Sequence, residues 1–391
     1  MGLLGCEGDR RLRSALYLPH AHLFSPSLPP ACEDPNARKH AEGALVRLSI
    51  EIANRSLIIK QLVSMLYQES SGAQEQAAAA LANLARDSTD NRTSIVDAGG
   101  IPPLLALMKS PSNEAKEKTI QAITQLAYQS RVNQHAVAQA GGIPLLVAVL
   151  TSSANNVKEV AAMQLCTLAA SAVWSMTTGN RTNQEAFFKA GVIMPLVSIL
   201  GSPVPEMQSN AAGAIAALAR DNPDNQAALA RAGGIVPLCT LVRDGSPETK
   251  EQSADALWAL SHENAPNKAT IAKLGGIEPL VAMLMYAQSE KSSENAAGAL
   301  ASLAAQHADN RLSITKRMVT VLSLKAPPAR AVRLLSALAS LCGNEPTNQV
   351  AIAKAGGIQH LITWLGNTDQ EVQTQAARCD VAVFAFRLLS L

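Results

Sequence analysis

The sequence has few aromatic residues: phenylalanine, tryptophan and tyrosine make up 3% of its 391 residues. Apolar residues make up 48%, with many alanines, which favours helices that pack closely through small side chains. Long runs of one charge are also missing, and 33 Lys plus Arg against 31 Asp plus Glu leave a net charge of +2. This balance gives no electrostatic case for nucleic acid or an anionic membrane as the main partner.

Sequence signatures of metal sites, disulfide frameworks and catalysis are missing as well. The six cysteines are scattered without CxxC spacing, which is typical of reduced thiols in an intracellular protein. His20, His22 and Cys32 are too few, in a segment without helical period, to predict a metal site. There is no phosphate loop, no HExxH motif and no apolar run near the ~20 residues of a membrane span. We therefore predict a protein that is not an enzyme and has no cofactor.

A stretch of 42 residues, Asn225 to Pro266, recurs with variation along most of the chain. Each copy predicts three helices: a short one that stops at Gly-Gly, a second with proline near its first turn, and a longer, alanine-rich third one. In this copy the breaks are Gly233-Gly234 and Asp244-Gly245-Ser246-Pro247. Since three such helices cannot bury their apolar faces alone, stacked copies predict an all-α solenoid.

One asparagine marks the start of each copy, and we call these residues the phase asparagines. They are Asn54, Asn91, Asn133, Asn183, Asn225, Asn267, Asn310 and Asn348. The copies that start at Asn54 and Asn310 lack Gly-Gly, so we expect an irregular first helix in each. The copy from Asn133 is eight residues longer than the copy from Asn183, and we place the surplus after its third helix. There Trp174 either forms a hydrophobic knob for a partner or folds onto the stack with an extended helix.

Both ends of the chain differ from the repeats. Residues 1–36 contain five prolines and no helical period, which predicts a disordered leader. Gly2 and Cys6 within it are candidate lipidation sites. Residues 37–391 form the array of about eight repeats, beginning with a lone third helix as a partial cap. Its apolar last helix, with Phe384 and Phe386, predicts either self-association or a chain that continues further.

These repeats resemble the armadillo family in the motifs that recur at fixed positions. Asn225-Gln226, Ala232-Gly233-Gly234-Ile235 and Pro237-Leu238 match its pattern, and the copies from Asn133 and Asn348 repeat much of it. The resemblance covers residues 37–391. It implies a right-handed superhelix of three-helix repeats, whose third helices line a concave groove that binds extended segments of other proteins.

The same resemblance places candidate groove residues on the third helices. Importin alpha carries a Trp and, four residues on, an Asn at two ladder positions of successive third helices. Here the pairs are Ala79 and Asn83, Gln121 and Gln125, Met163 and Thr167, Gly213 and Ala217, Asp255 and Ala259, Gly298 and Ser302, Ser336 and Ser340, and Arg378 and Ala382. Only Asn83 matches, which argues against a nuclear-import adaptor.

Acidic residues lie one turn before the ladder. Glu75, Glu117, Glu159, Glu251 and Glu294, together with Asp255, either form a stripe for a basic peptide or stabilise the start of each helix. The predicted groove residues are therefore Asn83, Glu117, Gln121, Gln125, Glu159, Glu251, Asp255 and Glu294.

The leading hypothesis is a noncatalytic adaptor, cytoplasmic and also nuclear, that holds extended segments of partner proteins and no nucleic acid. The alternative is a lipid-anchored adaptor on a vacuolar or other endomembrane, similar to the vacuole-associated armadillo proteins, if Gly2 and Cys6 are acylated. A nuclear-import adaptor and a fragment of a U-box ubiquitin ligase are further alternatives, although residues 1–36 are too short to hold a U-box.

Overall fold

Twenty-two α-helices, and no strand, make up the part of the chain that the structure describes. This computed structural model describes residues 52–155, 160–286, 288–322, 327–342 and 346–389, all of which belong to the unit Leu45–Leu391. The predicted all-α solenoid of three-helix repeats is confirmed. The predicted leader, the partial cap before residue 52 and the lipidation sites Gly2 and Cys6 lie outside the described residues.

The helices group into eight successive repeats. The first repeat holds α1 (Ile52–Met65) and α2 (Ser71–Asp87), and the second holds α3 (Thr89–Asp97), α4 (Ile101–Leu107) and α5 (Asn113–Ala127). Next come α6 (Arg131–Gln139), α7 (Gly142–Asn155) and α8 (Val160–Thr177), then α9 (Arg181–Lys189), α10 (Ile193–Ile199) and α11 (Pro205–Ala219). The fifth and sixth repeats hold α12 (Pro223–Arg231), α13 (Ile235–Asp244), α14 (Pro247–Ser261), α15 (Ala265–Lys273), α16 (Ile277–Tyr286) and α17 (Glu290–Ala304). The last two hold α18 (Ala308–Leu322), α19 (Pro328–Cys342), α20 (Pro346–Lys354), α21 (Gly357–Leu365) and α22 (Gln370–Leu389).

The Gly-Gly motif ends the first helix of a repeat, as the sequence predicts. Gly233 has φ +81°, a left-handed conformation that side chains other than glycine adopt at a cost. A Cβ atom on Gly234 would lie 3.2 Å from the carbonyl oxygen of Leu229, so a side chain there would crowd the helix that has just ended. The second helix then starts at a steep angle, which is 79° between α15 and α16.

The two copies without Gly-Gly differ from the expectation. Their first helix is not irregular but continuous with the second, which gives the single helices α1 and α18 of 14 and 15 residues. No residue in a left-handed conformation interrupts the backbone hydrogen bonds, so one helix runs through the position where the other repeats turn. The fused helices explain why eight repeats contain twenty-two helices.

The surplus of the long repeat lies on the other side of its third helix from the predicted place. The second helix, α7, has 14 residues, whereas its counterparts α10 and α13 have 7 and 10. Asn183 follows the end of α8 at Thr177 by six residues, as Asn225 follows Ala219 at the end of α11. The chain after α8 therefore has the standard length. The extra residues lie before it, in α7 and at the start of α8, which has 18 residues where α11 and α14 have 15.

Helix α8 corrects a second expectation. It has 18 residues with a mean hydropathy of 1.3, which is long and apolar enough by composition to cross a membrane. In the structure, however, it packs between α5 and α11, and 56% of it is buried. A third helix in the middle of a stack is covered on two sides, so an apolar composition is what this position requires.

Small side chains let the third helices approach each other closely. On α11 the fully buried residues include Ala211, Ala212, Ala214 and Leu218, and α11 packs against α8 on one side and α14 on the other. Larger side chains such as Phe187, which is fully buried on α9, fill the space between the layers. The apolar residues form one continuous core through the stack, as expected of a repeat array.

Candidate functional site

The third helices form one continuous face of the stack. Helices α2, α5, α8, α11, α14 and α17 each pack against the next along the chain, whereas α17 and α19 make few contacts with each other. Between α17 and α19 lies an open, mainly apolar cavity of about 470 Å³, whose lining includes Ala301, Met318 and Leu341. The regular part of this third-helix face therefore extends from α2 to α17.

The asparagine that starts a repeat, with the glutamine that follows it in four of the repeats, holds this face in register. Asn225 donates from Nδ2 to the carbonyl oxygen of Leu218, at the end of the preceding third helix, over 2.9 Å. Asn91, Asn133, Asn183, Asn267 and Asn310 make the equivalent bond seven residues back. These carbonyl groups lie in the last turn of a helix, where the backbone has no donor for them.

The glutamine links one repeat to the next. Gln226 Nε2 donates to the carbonyl oxygens of Ala259 (2.9 Å) and His262 (3.2 Å), at the end of α14 in its own repeat, and to that of Ala219 (3.2 Å), at the end of α11 in the preceding repeat. Its Oε1 accepts from Asn264 Nδ2 at 3.0 Å. Gln134 and Gln184 repeat both contacts, whereas Lys268 replaces the glutamine and donates to the carbonyl oxygen of Ala305 at 2.7 Å.

The structure brings three of the predicted groove residues together on one surface. Asn83 on α2, and Gln121 and Gln125 on α5, are half-buried on the third-helix face. Within the described residues, no side-chain hydrogen bond engages the amides of Gln121 and Gln125. These two side chains, one turn apart, therefore keep their amide donors and acceptors free of side-chain hydrogen bonds on this face.

The position of the surplus changes the register of α8. In the other repeats, the two ladder positions lie 12 and 8 residues before the next phase asparagine. The residues 12 and 8 positions before Asn183 are Ser171 and Ser175, instead of the predicted Met163 and Thr167. Glu159 is then no longer equivalent to the other acids, and it lies outside the described residues. The signal for this register is present in the sequence, because Trp174 precedes Asn183 by nine residues as Trp258 precedes Asn267.

Trp174 folds onto the stack, which is one of the two predicted alternatives. A Cβ atom on Gly213 of α11 would lie 2.7 Å from two carbon atoms of the Trp174 ring. Trp258 lies over Gly298 of α17 at the same distance. Trp174 therefore has a counterpart in Trp258 of another repeat, and each indole needs a glycine beneath it.

Most of the described acidic residues contact the following repeat. Glu251 accepts from the hydroxyl groups of Ser289 (2.7 Å) and Ser292 (2.8 Å), where Ser289 is the N-cap of α17. Burial alone would raise the pKa of Glu251, but these hydrogen bonds and Lys291 outweigh it and lower the pKa. Glu75 accepts in the same way from Ser112, the N-cap of α5. These acids connect successive helices.

The remaining described acids differ from one another. Glu117 accepts from Gln164 Nε2 at 3.1 Å, and burial raises its pKa despite the opposing effect of Lys118. Glu294 is exposed. Asp255 forms an ion pair with Arg220, which is not among the predicted groove residues. The acids therefore do not form a uniform stripe open to a ligand.

The other sequence candidates add little to this site. Among the described residues, no group of three or more His, Cys, Asp or Glu side chains is placed to hold a metal ion. Cys166 and Cys239 are buried free thiols, and burial raises their pKa to about 11 and about 12. The side chains of Phe384 and Phe386, predicted for self-association, lie outside the described residues.

Comparisons with known proteins agree with this architecture. The family model "Armadillo/beta-catenin-like repeat" matches residues 55–86, 88–128, 222–262 and 264–305. No curated protein matches the sequence. Among solved structures, an engineered protein is 28% identical over 90% of this chain and 86% of its own, with a TM-score of 0.71.

Two designed armadillo repeat proteins share the fold at 24% identity. The first covers 63% of this chain and 99% of its own with a TM-score of 0.57. The second, in complex with the peptide (KR)4, covers the same shares with a TM-score of 0.56. The family model therefore finds armadillo repeats on both sides of residues 129–221, and the similarity to solved structures extends the same fold over most of the chain.

Proposed function

We propose that this protein is a noncatalytic adaptor that binds extended segments of partner proteins on the third-helix face. The observation that carries the proposal is the polar ladder on α2, α5 and α8. Asn83, Gln125 and Ser175 occupy the same register position, eight residues before a phase asparagine, and all three are half-buried. An extended peptide exposes a row of backbone donors and acceptors, and side-chain amides at repeat spacing are suited to bind them.

The ladder is restricted to the N-terminal part of the stack. At the same position α11 and α14 carry the buried Ala217 and Ala259, and on α17 Ser302 is buried and accepts from the Ser261 hydroxyl at 2.9 Å. We therefore place the backbone-binding segment on α2, α5 and α8. The similarity to a designed armadillo protein in complex with a peptide supports this mode of binding.

Peptide selection tests the proposal. A display library of random 12-residue peptides is selected on the purified chain, and the selected peptides are titrated against three proteins. These are the wild type, the double variant Gln121→Ala with Gln125→Ala, and Gln139→Ala as the control. Gln139 is an exposed glutamine at the end of the first helix α6.

We expect the double variant to lose at least tenfold in affinity, since two side-chain hydrogen bonds to a peptide backbone are removed. The control should bind as the wild type does. Equal affinities for all three proteins would show that the selected peptides bind elsewhere.

A further inference from the structure

An arginine of the chain itself occupies the place on the third-helix face where an acid and an aromatic ring meet. Arg220 is the C-cap of α11, and its guanidinium group pairs through Nη2 with Oδ1 of Asp255 on α14. Its Cζ atom lies 5.4 Å from the centroid of the Trp258 ring. One guanidinium group thus makes an ion pair and a cation–π contact at once.

The site around Arg220 is built from fixed parts. Trp258 rests on Gly298, where any Cβ atom would lie 2.7 Å from ring carbons, so the indole is held against α17. Asp255 lies one turn before Trp258 on the same helix, and its side chain is 21% exposed. Carboxylate and ring keep their places without Arg220 because each is carried by packed helix α14.

The equivalent site in the third repeat, around Trp174, lacks the charged residues of the Arg220 site. Trp174 also lies over a glycine, but Ser171 takes the place of Asp255 and Tyr128 takes the place of Arg220. The two positions equivalent to Asp255 and Arg220 therefore carry neither a carboxylate nor an arginine. Within the described residues, the combination of arginine, aspartate and tryptophan occurs between α11 and α14 alone.

We propose that Arg220 is a built-in occupant of a cation site formed by Asp255 and Trp258, so that the wild-type face excludes lysine and arginine side chains of a partner there. This inference rests on the proposed function and specifies it: partner segments that cross α14 carry a neutral or acidic residue at this point. A basic residue would have to displace Arg220 from both contacts, and the displaced guanidinium would repel it.

The test uses the peptide (KR)4 as the probe, labelled for fluorescence anisotropy at low salt. It is titrated against the wild type, R220A, R220A with D255N, and R243A. The last variant is the matched control, because Arg243 pairs with Asp244 on the surface and its removal frees a carboxylate without an aromatic ring. Net charge changes equally in R220A and R243A.

We expect R220A to bind (KR)4 about tenfold more tightly than the wild type and R243A, and D255N to remove the gain. R220Q, which keeps a polar side chain at the helix end, should behave as R220A, provided that both variants keep the far-UV circular dichroism of the wild type. Equal affinities of the wild type and R220A, or a gain that survives D255N, would overturn the proposal.

The outcome is independent of the polar ladder. A gain in R220A, together with selected peptides that ignore Gln121 and Gln125, would refute the proposed function and leave the cation site standing.

Discussion

Replacement of Gln226 by leucine should destabilise the junction between the fifth and sixth repeats. Gln226 is 2% exposed, and leucine preserves its approximate volume, so the change removes hydrogen bonds without opening a cavity. The carbonyl oxygen of Ala259 loses its 2.9 Å donor, and the half-buried amide of Asn264 loses its acceptor. The Ala219 carbonyl oxygen also loses the Gln226 amide (3.2 Å), but it keeps the backbone N–H of Asn222 as a donor. His262 is exposed, so water can replace the donor to its carbonyl group.

The magnitude follows from these partners. A buried polar group left without a partner costs about 1–3 kcal/mol. The Ala259 carbonyl falls fully in this class and the Asn264 amide partly, which predicts a loss of about 2 kcal/mol. That loss corresponds to a rate of hydrogen exchange about 30-fold faster through local opening.

Hydrogen exchange followed by mass spectrometry is the appropriate assay, because a repeat array need not unfold as one cooperative unit. Peptides from α14 and α15 should lose protection in Gln226→Leu, whereas peptides from α2 and α3 should not. Gln139→Leu, at an exposed helix position, is the control. A change of less than threefold in α14 would refute the view that the glutamines connect successive repeats.

Three further predictions concern single residues. Gln306 has φ +56°, a left-handed conformation that strains any residue other than glycine. Gln306→Gly should therefore raise the free energy of unfolding by about 0.5–1 kcal/mol, measured by urea titration. A lower free energy of unfolding would contradict the assigned backbone strain. Burial lowers the pKa of Lys268, although Glu263 opposes this effect. The unfolded chain therefore binds the Lys268 proton more tightly than the folded protein does, which destabilises the fold while the lysine is charged. This destabilisation decreases as the pH rises toward 10.5, the pKa of the lysine in the unfolded chain. Lys268→Gln should therefore stabilise the protein at pH 7, and the gain in urea midpoint should shrink above pH 9; a pH-independent difference would exclude this cause. Burial raises the pKa of Cys166 and Cys239 to about 11 and about 12, so both thiols should resist iodoacetamide at pH 8 until urea is added. Mass spectrometry of the labelled peptides measures the extent of the reaction. Rapid labelling of the folded protein would contradict the burial of the two thiols.

The sequence was sufficient to predict the repeats because their punctuation is local. Gly233 needs a left-handed backbone, and Asn225 caps a carbonyl seven residues earlier, so both leave a signal inside one repeat. The fused helix α18 was missed because the absence of Gly-Gly was interpreted as irregularity. Without a residue that favours a turn, the helix simply continues.

The candidate site was less accessible from the sequence. Placing the surplus after α8 shifted the register there and hid Ser171 and Ser175. The pairing of Arg220 with Asp255 joins residues 35 positions apart on different helices, and nothing in either local sequence specifies it. The contact of Glu251 with the N-cap of the next third helix likewise depends on how two repeats stack.

The central claim is that partner segments lie on the third-helix face, and site-specific photocrosslinking tests it most directly. The photoreactive residue p-benzoylphenylalanine replaces Ser171, on the third helix α8, or Gln139, on the first helix α6 of the same repeat. Each protein is irradiated with a peptide selected on the wild type, and the products are mapped by mass spectrometry. We expect the peptide to crosslink from position 171 and not from position 139. Crosslinks from position 139 alone would contradict this claim and place the partner next to the first helices.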